Sequence, residues 1–203
     1  MGDTETAAGT PERALAELLA GNERFVTGTR IHPHQDAERR AALTHVQRPF
    51  AVVFGCSDSR LAAEIIFDRG LGDLFVVRTA GHIVGPEVSA SIEYGVCVLD
   101  APLLVVLGHD SCGAIQAAYD AMTGAAQPSP GMRSIVERVG PSLDRVPGAD
   151  LDEVMATHVR LTVDALSGSG IAGAVASGRC AVVGMTYHLA EGRVTVLAGE
   201  TGP

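Results

Sequence analysis

The stretch Phe50-Ala51-Val52-Val53-Phe54-Gly55-Cys56-Ser57-Asp58-Ser59-Arg60 decides the fold. Pro49 introduces it, and the apolar run from Phe50 to Gly55 ends abruptly in small polar and charged residues. A strand that is apolar at every position, rather than at alternate ones, is buried on both faces, as strands of a parallel sheet are. Further runs of this kind follow at Leu74 to Arg78, Leu103 to Gly108 and Cys180 to Tyr187. Helical patterns lie between and after the first of them, over Ala62 to Asp68, Val88 to Leu99 and Cys112 to Met122. That alternation is the mark of an α/β domain. A longer helical segment, Leu151 to Leu166, precedes the fourth strand. Ala190-Glu191-Gly192 is long enough only for a hairpin, so Val194 to Leu197 is expected to run antiparallel at the edge.

Upstream, residues 1–10 are small and polar and are expected to fray. Pro11 opens a helix with Leu15, Leu18, Leu19 and Phe25 on one side, and Gly28 closes it. A loop over 29–35 leads to a second amphipathic helix over 36–46, so that 11–47 form an N-terminal helical arm. Residues 124–150 carry Gly, Pro and Ser around a short helix near Met132 to Val139 and read as an insertion. The expected architecture is α/β, one domain over 1–203. It has a central, mostly parallel sheet of four strands plus an antiparallel edge strand, flanked by helices.

The chain has 203 residues, 46% of them hydrophobic and 19% charged, which excludes a disordered polypeptide. Its net charge of −9 repels phosphate backbones and argues against a nucleic-acid partner. No apolar run reaches the roughly 18 residues of a membrane span. No basic region followed by an apolar one marks a secretory signal, so a reducing cytoplasm is the expected location. Four cysteines in a chain of this length are not a disulfide scaffold, and in that compartment they are metal ligands, catalytic groups or core residues. Gly168-Ser169-Gly170-Ile171-Ala172-Gly173 fits a dinucleotide fingerprint by letter only, because a helix precedes it and a strand follows.

The chemistry-bearing residues stand just after two strands: Cys56-Ser57-Asp58-Ser59-Arg60 after the first, His109-Asp110-Ser111-Cys112 after the third. Open α/β sheets bind ligands beyond the carboxyl ends of their strands. If these two strands are neighbours, Cys56, His109 and Cys112 converge. Two thiolates and an imidazole suit zinc, and three protein ligands leave a fourth position free, as catalytic sites require. Cys112 stands near a helix N-terminus, which favours the thiolate. The bland alternative makes both cysteines small core residues. Asp58 and Arg60 flank Ser59 on one turn, so they can pair with two parallel hydrogen bonds. Arg60 would keep Asp58 ionised and off the metal, and Asp58 would orient the attacking group; the alternative is a solvated surface ion pair. Cys97, inside an apolar helix, and Cys180, starting a strand at the opposite edge, are poor ligand candidates.

Cys56-x-Asp58-x-Arg60 with His109-x-x-Cys112 resembles the β-class carbonic anhydrases. The likeness extends through Gly21-Asn22-Glu23-Arg24-Phe25, Val77-Arg78-Thr79-Ala80-Gly81 and Ser91-Ile92-Glu93-Tyr94, covering about residues 12–190. The resemblance implies one zinc per subunit on Cys56, His109 and Cys112, with Asp58 and Arg60 as the catalytic dyad. It implies reversible hydration of carbon dioxide to bicarbonate and a proton, with zinc-bound hydroxide as the attacking group. It also implies an obligate dimer, sometimes paired into a tetramer, with the active site a cleft at the subunit interface and the N-terminal helices embracing the partner. Gln47 matches a family glutamine that binds substrate, Phe75 and Tyr94 match the apolar wall, and Gly113 matches a glycine whose backbone lies close to substrate. Some members hold an inhibitory bicarbonate with a tryptophan three residues before the first cysteine; Val53 stands there, so that regulatory site is not expected. Members also adopt a closed state in which the aspartate ligates zinc, open to Asp58 if its pairing with Arg60 breaks.

Two other readings share these motifs. Related scaffolds hydrolyse carbon disulfide or carbonyl sulfide with the same zinc set, and a non-enzymatic zinc or thiol-sensing module would need a filled fourth position. As proton shuttles His82 and His45 have weak support, and His32, His34, His158 and His188 have less.

Overall fold

The computed structural model describes residues 9–197. The expectation of fraying over 1–10 therefore falls almost wholly outside the described residues. Helix α1 (Pro11–Thr27) starts at Thr10, whose hydroxyl caps the Arg13 amide, and stops at Gly28 with φ 70°. Its buried stripe is Ala14, Leu18, Gly21 and Asn22, and it packs on its own chain. A Cβ at Gly21 would run into the Phe67 carbonyl, so only glycine lets the two backbones approach. Helix α2 (Ala37–Ala42) buries no residue and is shorter than the expected 36–46, because no apolar face extends it.

Strand β1 (Ala51–Cys56), α3 (Ala63–Ile66) and β2 (Leu74–Thr79) follow. Helix α4 (Pro86–Glu93) passes into a π-helical turn over Tyr94–Val98 where one helix to Leu99 was expected. Gly95 sits in that turn, and a Cβ there would come within 2.6 Å of the Val52 side chain and 3.2 Å of the Phe75 ring. The wide turn presses backbone against the sheet and leaves Cys97 exposed, not inside an apolar helix.

Strand β3 (Leu103–His109), α5 (Gly113–Met122), α6 (Arg133–Arg145), α7 (Leu151–Ser167), α8 (Ala172–Ala176), β4 (Ala181–His188) and β5 (Arg193–Val196) complete the chain. Helix α6 is longer than the expected 132–139 and runs through Pro141. Its buried positions Ile135, Val139 and Ser142 keep helical spacing across the proline. The sheet order is β2-β1-β3-β4-β5, parallel throughout except for the β4–β5 pair. Both β1 and β3 are buried at every position, which accounts for their unbroken apolar runs. The register Gly55↔Leu107 sets the carboxyl ends of β1 and β3 side by side. The Gly168–Gly173 segment joins α7 to α8, so no strand delivers it to a ligand.

Candidate active site

Cys56 is the last residue of β1, His109 the last of β3, and Cys112 sits just before the first turn of α5. Their exposures are 4%, 0% and 6%, so the fold buries three ligating side chains at one sheet edge. One ligand atom from each lies within 4.8 Å of the others, and the two sulfurs are 3.9 Å apart. His109 Nδ1 donates to the Asp110 carbonyl at 2.8 Å, since a carbonyl can only accept. Nε2 of the neutral ring is then a bare lone pair, buried and without a protein partner. A buried acceptor with nothing to accept is costly unless a cation meets it, so the donor set fits a soft divalent metal.

The three groups are electrostatically coupled, and each protonation state depends on its neighbours. The Cys112 thiol beside Cys56 pulls the Cys56 thiol down to about 4 against the cost of burial, with help from His109 and the amides of Gly81 and Asp58. Cys112 is pushed up by the Cys56 charge and by burial, although the first amides of α5, at Ala114 and Ile115, work the other way. Burial disfavours a charged His109, but the Cys56 thiolate outweighs it and lifts the ring above its ordinary value.

Asp58 and Arg60 meet as expected. Arg60 Nε donates to Oδ1 at 2.9 Å and Nη2 to Oδ2 at 2.7 Å, while the Arg60 amide also reaches Oδ1 at 2.9 Å. Arg60 holds the carboxyl far below the usual carboxylate range, so it is ionised throughout the working pH range. With both oxygens engaged by Arg60, Asp58 is not a member of the cluster. The pair is unevenly exposed: 16% for Asp58 and 52% for Arg60. Arg78 was given no role from sequence, yet it fastens this loop. Its Nε donates to the Cys56 carbonyl at 2.9 Å and its Nη2 to the Asp58 carbonyl at 2.5 Å. The available signal was a lone charge at the end of an apolar strand.

The chain matches the carbonic anhydrase family over residues 51–194. A carbonic anhydrase of Mycolicibacterium smegmatis is 56% identical over 91% of this chain and 92% of its own length. Carbonic anhydrase 2 of Mycobacterium tuberculosis is 51% identical over 92% of each. The chain belongs to the β-class carbonic anhydrase family. It is an enzyme of that family. Solved β-carbonic anhydrases share the fold: CcaA superposes with a TM-score of 0.73 at 24% identity, covering 91% of this chain and 88% of that one. A tetrameric enzyme of Sordaria macrospora gives 0.73 at 23% identity over 93% and 98%.

The remaining candidates of this carbonic anhydrase chain divide. Gly113 opens α5 beside Cys112, and the space where its Cβ would stand is free of protein atoms. Phe75 and Tyr94 have ring centroids 6.0 Å apart. Tyr94 and Gln47 line a surface groove of about 670 Å³ with Arg40, Leu43 and Leu71. None of Cys56, His109 and Cys112 lines it. Phe75 pairs with Val52 whereas Cys56 pairs with Thr79. Four strand residues separate the two levels, about 13 Å at a rise of about 3.3 Å each. Within one chain, then, the fold sets Phe75 at the far end of the strand from the cluster. His82 is fully buried and cannot pass a proton to solvent, whereas His45 lies on the groove. Among the described residues no helix is long and apolar enough to cross a membrane.

Proposed function

We propose that this chain catalyses the zinc-dependent, reversible hydration of carbon dioxide to bicarbonate and a proton. The observation that carries the reading is the buried Cys56–His109–Cys112 cluster beside an arginine-held carboxylate, in a chain of this family. Cys56, His109 and Cys112 would hold the zinc. Bound there, zinc would acidify a coordinated water enough to supply a nucleophile near neutral pH. Asp58, acceptor-only because Arg60 keeps it ionised, takes a hydrogen bond from the attacking group and leaves its lone pair free for the substrate carbon. The open space beside the Gly113 backbone gives a small, uncharged substrate room to approach.

Gln47, Phe75 and Tyr94 belong to this reaction through a second copy of the chain. The distance of Phe75 from the cluster along β2, its contact with Tyr94, and the place of Tyr94 and Gln47 on an exposed, partly apolar groove support a homo-oligomeric interface at which one chain's residues reach the other's cluster. Four free cysteines fit a reducing cytoplasm.

Metal analysis and stopped-flow hydration on the same sample test the reading. The expected result is a full zinc equivalent with carbon dioxide turnover far above sulfide release from carbonyl sulfide or carbon disulfide. Zinc with sulfide release alone would move the chain to the hydrolase reading; zinc with neither activity would make it a binding module.

A further inference from the structure

Gly81 stands against the cluster without contributing a side chain to it. Its amide donates to the Cys56 sulfur at 3.3 Å. Its φ is 65°, and a Cβ there would come to 2.9 Å from the Ala114 Cβ, so the position admits glycine alone. A glycine in a left-handed conformation is the least self-constrained residue the chain could place beside a ligand. Something else must fix it.

We propose that His158 is a positioning residue for the metal centre, holding the Gly81 backbone so that its N–H stays aimed at the Cys56 sulfur. His158 Nε2 donates to the Gly81 carbonyl at 3.0 Å. Because the carbonyl can only accept, Nε2 carries the proton, and Nδ1 of the neutral ring must accept. Ser142 supplies that hydrogen at 2.9 Å. The exposures of His158 and Ser142 are 4% and 1%, so water does not compete for either bond. Burial holds His158 below its ordinary value, which keeps the ring in the neutral form this chain of bonds needs. The two residues come from α7 and α6, which supply none of the three ligands. His82 packs over the His158 ring at 4.5 Å and Phe54 stands against His82 at 6.1 Å, so the imidazole is wedged as well as bonded.

The consequence is both positional and electronic. The amide hydrogen bond fixes the Cys56 sulfur where a metal would meet it, which favours binding, and it withdraws charge from the sulfur, so a bound metal would retain more Lewis acidity. Partners of this kind, one bond removed from the metal, typically alter affinity or activity by about 10–100-fold. The inference rests on Cys56 being a zinc ligand, as proposed above.

The test compares wild type, His158→Leu, His158→Gln and Ser142→Ala by three readouts. These are zinc affinity by chelator competition, the thiolate-to-metal charge-transfer band after cobalt substitution, and the pH midpoint of kcat. The Gln amide reaches the same carbonyl, so it is expected to keep wild-type values within a few-fold. His158→Leu is expected to lower zinc affinity about 10–100-fold, to displace the band and to move the midpoint upward. Ser142→Ala should move all three in the same direction by less. Should His158→Leu not fold, Gln rescue and the Ser142→Ala shift carry the decision. Wild-type affinity and an unmoved band in His158→Leu, or in Ser142→Ala if that variant alone folds, overturn the inference. So does a Gln variant as impaired as Leu. Failure of wild type itself to bind zinc would instead sink the proposed function.

Discussion

The cluster edge and the Gln47 groove differ in how the chain treats them. At the edge, Cys56, His109 and Cys112 are buried, their backbone is fixed by β1, β3 and α5, and Arg78 bolts down the intervening loop. In the groove, Tyr94 is 44% exposed, Val46 52% and Leu71 45%, and α2 buries nothing. A lone chain gains nothing by leaving those apolar side chains in water. The contrast teaches that folding alone completes the cluster; under the function proposed above, the groove is the half that association completes. Cys112→Ser attacks the folded half most directly. It is expected to remove the zinc equivalent and with it all measurable hydration, while circular dichroism stays native. A full complement of zinc in that variant would refute the ligand assignment.

Asp58→Asn should separate chemistry from metal holding in the same half. Zinc content is expected to stay at one equivalent and kcat to fall by about 10²–10⁴-fold, the range for a group that positions or transfers a proton. Asp58 is held far below the usual carboxylate range, so its charge does not change between pH 6 and 9. Under the proposed mechanism a rise in wild-type rate over that window would report the attacking water, and two thiolate ligands, which would neutralise a divalent metal, would place that rise at and above neutrality. A flat profile from pH 6 to 9 would count against hydroxide as nucleophile.

The groove half answers to a different experiment. Gln47→Ala is expected to cost about 10-fold in kcat/KM, the worth of one hydrogen bond. The sharper result comes from co-expressing it with Cys112→Ser. If Gln47 serves the neighbour's cluster, a mixed dimer contains one site with both residues intact, and activity reappears. If Gln47 serves its own chain, no site in the mixture is whole and activity stays low. That second outcome would erase the distinction between the halves.

The same contrast governs what could be read from residues alone. The strands were legible because burial on both faces leaves an unbroken apolar run, and β1 and β3 are buried at each position. The convergence of Cys56, His109 and Cys112 was legible because all three stand at the ends of two apolar runs that pair in the sheet. The π-turn at Tyr94–Val98 was not, since its cause is the pressure of Gly95 on Val52 and Phe75, contacts that come from other elements. The short helix expected near Met132 to Val139 runs on through Pro141 to Arg145, and Ile135, Val139 and Ser142 are buried along it. The place of His158 was not legible, because a histidine in the middle of an amphipathic helix gives no hint that its partner is a carbonyl 77 residues away. Gly21 to Phe25 resembled the family without any visible reason. The fold supplies one: Gly21 admits the Phe67 carbonyl, Asn22 accepts from the Val194 amide at 2.9 Å and donates to Gly192 at 2.8 Å, and Arg24 pairs with Asp68 at 2.6 Å.

That last contact allows the arm leading to the groove to be loosened without touching the cluster. Asp68 is 1% exposed at its side chain and holds Arg24, 25% exposed, together with the amides of Ile31 at 3.1 Å and His32 at 3.0 Å. Burial pushes its carboxyl up, but Arg24 and the two amides more than offset this, and the net value lies below the ordinary one. A carboxylate lowered by folding stabilises the native state fully above its unfolded value of about 3.9 and loses that contribution as pH falls through the folded value. Asp68→Asn keeps the shape and removes the charge. It is expected to cost about 1.5–3 kcal/mol at pH 7, the range for hydrogen bonds to a charged group. The gap to wild type should close as pH falls below about 4. Urea unfolding at several pH values measures both. Zinc affinity should be unchanged, because none of these contacts touches Cys56, His109 or Cys112. A loss of zinc together with the loss of stability would show that the arm and the cluster fold as one unit, and the division between the two halves would then be one of position only.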